Sequence, residues 1–149
     1  MTENPKPEML DAWRGVLFAQ ARVVQGLEAD MLEQHGLPIT WFDLLSRLSD
    51  APHQRMRMHE LEEASIFTRS GITALADRLE NAGLVRRERS AEDRRGVYLA
   101  ITKAGLDKFA EVWPDHKRSI QSHFGQYLDA EDAEALTTAT KKILNPNAE

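Results

Sequence analysis

Residues 71–105 read GITALADRLENAGLVRRERSAEDRRGVYLAITKAG. Ile72, Leu75, Ala76 and Leu79 recur at three-and-four spacing, the pattern of one apolar helix face. Asn81 and Gly83 supply the stop, because glycine just past a helix accepts left-handed geometry. The period then changes to two. Residues 84–89 and 96–101 read as extended pieces, with Val97, Leu99 and Ile101 alternating with Tyr98 and Ala100. Between them Ser90, Ala91, Glu92, Asp93, Arg94 and Arg95 make a polar loop, and Thr102 then caps a further helix. A helix followed by a hairpin with a charged tip is the plan of a wing.

Upstream, Thr68 caps the helix of this stretch, Ser65, Ile66 and Phe67 make a turn, and residues 59–64 give one or two helical turns with Leu61 and Ala64 facing inward. Residues 55–58 read as a short extended piece. Before it, Thr40 with Asp43 three residues on predicts an N-cap and acidic box. The helix so opened carries Phe42, Leu45 and Leu48 and ends near Asp50, Ala51 and Pro52. The helix at residues 9–33 carries a stripe of Leu10, Trp13, Leu17, Val24, Leu27 and Met31, and Gly36, Leu37 and Pro38 end it. Residues 1–8, with two prolines, read as a loose lead-in.

Downstream, a helix from residue 103 carries Leu106, Phe109, Val112 and Trp113, meets a kink or break at Pro114, and resumes through Ile120 and Phe124. Asp129 caps a last helix with Leu136, Ala139, Ile143 and Leu144. The expected fold is mainly α with a small β-wing: a winged helix-turn-helix lobe at residues 40–102 within one domain, 1–149. The helices at 9–33 and 103–144 are then N- and C-terminal dimerisation helices. Their stripes call for burial of Leu10, Leu17, Val112, Ile120, Phe124, Leu136 and Ile143 between two chains, or else packing within one.

Composition narrows the function. Hydrophobic residues at 42% and charged residues at 29% suit a globular chain. No apolar run nears the roughly 20 residues of a membrane span, and the N-terminus lacks a signal-peptide pattern, so a cytoplasmic address with no membrane partner is expected. The absence of cysteine excludes disulfides, thiolate metal sites and thiol redox switching. The five histidines show no HxxxH or HExxH spacing, and neither a GxSxG elbow nor a phosphate-cradling glycine loop occurs. No enzyme, metal or cofactor is expected. The net charge of −5 argues at first against nucleic acid, yet residues 53–105 hold ten Lys or Arg against eight Asp or Glu. The acidity lies elsewhere, and a local basic face is what DNA meets.

A helix start can enter a major groove, and here it offers Thr68, Arg69, Ser70, Gly71 and Thr73. Simple capping by Thr68 and Ser70, with Arg69 solvated, remains the alternative. Arg94 and Arg95 at the hairpin tip suit a narrow minor groove, with Asp93 holding an arginine in shape. A solvated turn is the competing explanation.

The ordered combination of DRLE (77–80), GLVRR (83–87), DRR (93–95) and ITKAG (101–105) resembles the MarR family of bacterial transcription regulators, with Ile-Thr where Leu-Thr is usual. The resemblance implies a homodimer on a pseudopalindromic site in double-stranded DNA, acting as a repressor. It assigns Asp93 as the wing acid, Arg95 to the minor groove and Arg94 to the backbone, with Thr68, Arg69, Ser70 and Thr73 at the groove-facing helix start. Asp77 and Arg78 lie further along, where packing or ion pairing competes with DNA contact. Relatives also imply a small aromatic or anionic effector that lowers DNA affinity. Trp13, Arg14, Phe18 and Asp43 are the candidates for it, with His35 and His59 beside them; some urate-responsive members use a Trp, Asp and Arg set. Trp13 also fits a core stripe and Asp43 a cap. A winged helix that binds protein instead of DNA is the other class of function, and the wing tip discriminates the two.

Overall fold

The computed structural model describes residues 3–64, 69–92 and 96–147, with Ala64, Arg69 and Ser70 described by backbone alone. Helix α1 (Pro7–His35) begins two residues earlier than the sequence suggests. Pro7 lacks an N–H that the first turn would leave unpaired anyway, and its fixed φ suits that position. The Lys6 carbonyl accepts from the N–H groups of Met9 and Leu10 at 2.9 and 3.3 Å.

The chain divides into two units, Met1–Ala29 with His116–Glu149, and Asp30–Asp115. The first unit holds the N-terminal part of α1, the C-terminal part of α5 (Lys103–His123), a 3₁₀ turn at Gly125–Tyr127 and α6 (Ala130–Leu144). Asp129 caps α6 as expected: its carboxylate accepts from the Asp132 N–H at 2.9 Å, and the Asp132 carboxylate accepts from the Asp129 N–H at 3.2 Å. Leu27 and Ser119 are buried in this unit, and the His123 imidazole of α5 lies where a Cβ on Gly26 would stand. By contrast Leu10, Trp13, Leu17, Leu136 and Ile143 are exposed in the single chain.

The second unit is built on α2 (Ile39–Asp50), a 3₁₀ turn at Pro52–Gln54, β1 (Arg55–Arg57), α3 (Met58–Ala64), α4 (Arg69–Asn81), β2 (Val85–Arg89), β3 (Val97–Ile101) and the start of α5. The antiparallel sheet has the order β1-β3-β2. Its register sets Arg57 opposite Tyr98 and Tyr98 opposite Glu88, so these three share one face. The other face carries Leu99 and Ile101 into a core with Leu45, Leu48, Leu61, Ile72, Leu75, Ala76, Leu79 and Val85. Each large side chain sequestered there contributes about 1.5–3 kcal/mol relative to exposure. The face of α4 expected from its spacing is the face that is buried.

Several expectations need correction. Thr40 is not the N-cap of α2: Pro38 occupies that position, its carbonyl accepts from Trp41 and Phe42, and Thr40 lies inside the helix. The Pro38 ring holds φ at −62°, and no side chain caps this end of the helix. Asp43 instead accepts from Arg47 one turn on, at 3.0 Å. Pro114 does not break α5, which runs through to His123. Packing outweighs the proline there: Phe109 and Trp113 stack with Phe42 at centroid distances of 5.2 and 6.1 Å, and Val112 is fully buried with Met31, Leu37 and Phe42. Val112 is thus core within one chain rather than a residue awaiting a partner.

Candidate nucleic-acid interface

With Ile72, Leu75, Ala76 and Leu79 turned inward, the opposite side of α4 is left to solvent, and Gly71 and Thr73 stand exposed near its start. Arg69 and Ser70 are the first two residues of α4. Thr68, Asp93, Arg94 and Arg95 lie outside the described residues. The hairpin is described up to Glu92 and again from Gly96, and the Ser90 N–H donates to the Gly96 carbonyl at 2.9 Å. Helix α4 and the β2–β3 pair belong to one unit.

These two elements are fastened together by a group that sequence reasoning passed over. Arg87, in the middle of β2, donates from Nη2 to Asp77 at 2.6 Å and from Nη1 to Glu80 at 2.9 Å. Its backbone N–H also donates to the second oxygen of Glu80 at 2.9 Å. Asp77 and Glu80 are three apart on α4 and so lie on one face. The hydrogen bond to Asp77, with help from Glu80, raises the Arg87 pKa above its ordinary value against the opposing effect of burial. The available signal was a pair of carboxylates at helical spacing shortly before an arginine at an inward strand position. Asp77 is thereby an ion-pairing residue, one of the two roles left open for it. Arg78 is exposed.

The solvent face of the sheet is basic and aromatic. Arg55 and Arg57 of β1 both lie over the Tyr98 ring, at 4.3 and 5.3 Å from its centroid. Glu88 accepts from Arg86 at 2.8 Å and from Arg55 at 3.2 Å. The bond from Arg86, then that from Arg55, lowers the Glu88 pKa below the usual glutamate range. Beyond β3, Thr102 joins the hairpin to α5. Its hydroxyl donates to the Gly83 carbonyl at 2.7 Å and accepts from the Gly105 N–H at 3.1 Å, while its N–H donates to Leu84 O at 3.0 Å. Gly83 has φ +76°, the left-handed turn foreseen at the end of α4.

The effector candidates do not fall in one unit. Trp13, Arg14 and Phe18 belong to the first and Asp43 to the second. Trp13 is 61% exposed and Phe18 69%, so neither is core in the single chain; Arg14 lies 3.9 Å from Asp11. Asp43 is held by Arg47, and His35 is hydrogen-bonded to Asp115 at 2.8 Å. His59 lines a groove of about 380 Å³ that also touches Glu62, Thr73 and Arg87. Among the described residues no three His, Asp or Glu side chains gather as metal ligands, and no helix is long and apolar enough to cross a membrane.

This arrangement, a helix pair followed by a hairpin braced against the second helix, defines a winged helix-turn-helix protein. The model of the MarR family matches residues 35–96. Among solved structures the chain is similar to AbsC, a MarR family transcriptional regulator from Streptomyces coelicolor, at 35% identity with 97% of each chain covered and a TM-score of 0.84. It is also similar to Sco3205 from the same organism, a MarR family regulator solved in complex with DNA, at 25% identity, covering 100% of this chain and 93% of that one, with a TM-score of 0.86. The repressor YetL of Bacillus subtilis (strain 168) is 32% identical over 96 residues, 64% of this chain. The chain spans 58–65% of the length of YetL and of the Escherichia coli repressor MprA. The chain belongs to the MarR family of transcriptional regulators, a family of regulators rather than enzymes.

Proposed function

We propose that this protein is a homodimeric repressor that binds a pseudopalindromic site in duplex DNA. The start of α4, residues 68–73, meets the major groove; in the wing Arg95 enters the minor groove, Arg94 contacts the backbone and Asp93 holds an arginine in shape. The observation that carries this is the likeness along the whole chain to Sco3205, a relative solved with DNA bound. The exposure of Gly71 and Thr73 above a buried apolar face supports it further. So does the local charge, since residues 84–103 hold six Lys or Arg against three Asp or Glu in a chain of net charge −5.

A homodimer is supported by the apolar residues that a single chain leaves exposed, from Leu10 to Leu17 on α1 and from Leu136 to Leu144 on α6. Two-fold symmetry then sets half-sites about 34–36 Å apart. A small aromatic or anionic ligand lowers DNA affinity in this scheme, with Trp13, Arg14, Phe18 and Asp43 as its candidate contacts. Titration of a random-sequence duplex tests the DNA-binding core of the proposal. Affinity is expected to fall linearly on a log–log plot against salt, because phosphate contacts release counterions. Arg95→Ala is expected to weaken binding; a variant that binds as well as the parent overturns the wing assignment. Phenolic acids and urate that neither shift melting nor release DNA count against ligand control.

A further inference from the structure

We propose that Arg87 is a positioning residue for base reading: it locks the rotation and slide of α4 against β2 without touching DNA itself. The inference rests on the DNA-binding function proposed above. On its inner side α4 is held by Ile72, Leu75, Ala76 and Leu79, apolar contacts that have no preferred direction. Such a face resists removal of the helix but only weakly resists a small turn about its axis. Arg87 adds direction. Its guanidinium grips Asp77 and Glu80, and its backbone N–H grips Glu80 again. Asp77 and Glu80 stand about 4.5 Å apart along the helix axis, so two separate points are fixed on one rigid planar fork.

The geometry needed is demanding. Side-chain tips lie about 5–6 Å from a helix axis, so a turn of about 20° displaces them by about 2 Å, beyond the ~0.5 Å tolerance of a preorganised site. Thr73 lies on the same helix one turn before Asp77, and β2 leads directly into the hairpin tip. One residue therefore sets both DNA-facing elements in a common frame. Arg87 spends its fork on two carboxylates and is partly shielded, with 29% of its side chain exposed. A guanidinium so engaged adds order to the interface rather than a phosphate contact.

The test compares affinity for a duplex recovered by selection with affinity for a random duplex, using the full chain well below its melting temperature. Arg87→Gln is expected to lower affinity for the selected duplex about tenfold or more, the scale of one lost base contact, while leaving random-duplex affinity and its salt slope unchanged. The paired variant Asp77→Asn with Glu80→Gln gives the sign that separates a brace from a phosphate contact. Loss of the brace weakens selected-duplex binding; release of an arginine toward phosphate would instead tighten binding to both duplexes. Arg87→Lys, which keeps the charge without the fork, is expected to recover only part of the affinity. An unchanged ratio in Arg87→Gln, or tighter binding in the paired variant, overturns the proposal. Failure of the parent protein to enrich any duplex overturns the DNA-binding function instead, so the two failures are told apart.

Discussion

Replacing Gly105 by alanine sets two effects of opposite sign against each other. Gly105 lies in the first turn of α5, where helix propensity alone favours alanine by about 0.5–1 kcal/mol. Yet Gly105 is buried, and a Cβ there would stand 2.2 Å from Leu84 O and 2.6 Å from Ile101 Cγ1. The first of these is backbone, which cannot swing aside as a side-chain tip can. Overpacking of this kind costs about 1–3 kcal/mol. Leu84 O also accepts from the Thr102 N–H, so pushing the carbonyl away weakens that bond, worth about 1 kcal/mol. The steric and hydrogen-bond losses win, leaving Gly105→Ala about 1–3 kcal/mol less stable than the parent. For a chain of this size that lowers Tm by about 3–10 °C. Thermal and urea unfolding at one fixed protein concentration measure it, since assembly makes Tm concentration-dependent. Ala104→Gly, at an exposed neighbour, is the control for propensity and is expected to cost about 1 kcal/mol. If Gly105→Ala is as stable as the parent or more so, the joint is not closed as described.

Three further outcomes follow from the same geometry. Asp129→Ala removes the side-chain acceptor of the α6 capping box, leaving the backbone N–H to Asp132, and is expected to destabilise by about 1 kcal/mol in urea unfolding. Burial lowers the His116 pKa below its ordinary 6.5, so below pH 6.5 the unfolded chain binds the proton more readily and stability falls as the solution is acidified. His116→Gln should lack that part of the loss between pH 8 and pH 5; an identical pH profile counts against it. Glu88 has its pKa lowered by Arg86, then Arg55, so its contribution is present above the ordinary glutamate value and disappears as pH falls through the folded value. Glu88→Gln should therefore be less stable than the parent at pH 7, by under about 1 kcal/mol for so accessible a group, and equal to it in strong acid.

Those features written locally in the chain were the ones legible from it. The buried face of α4 follows from spacing, the hairpin from the change to period two, and the caps at Thr102 and Asp129 from residue type just before an apolar helix. Features decided by distant partners were not. The Asp77 and Glu80 pair is visible at helical spacing, but which arginine it holds, ten and seven residues on along another element, is decided only by the packing of α4 on β2. The extended piece at residues 55–58 was legible, but its pairing with β3 and the two arginines it sets over Tyr98 were not. Pro114 reads as a kink or break, and the break is what fails, because the proline's local cost is legible while the stack of Phe109 and Trp113 on Phe42 is not. Thr40 looked like a cap because its chemistry suits one, although Pro38 had already set the helix start. As for the site, Gly71 and Thr73 emerge on the exposed side of α4 as the spacing requires.

Selection of bound duplexes from a random pool bears most directly on the central claim, that this winged helix reads DNA as a symmetric pair. Enrichment of an inverted repeat with half-site centres one helical turn apart, about 10–10.5 base pairs, is the predicted result. A pool that stays random after repeated rounds at low salt, where phosphate contacts are strongest, contradicts it.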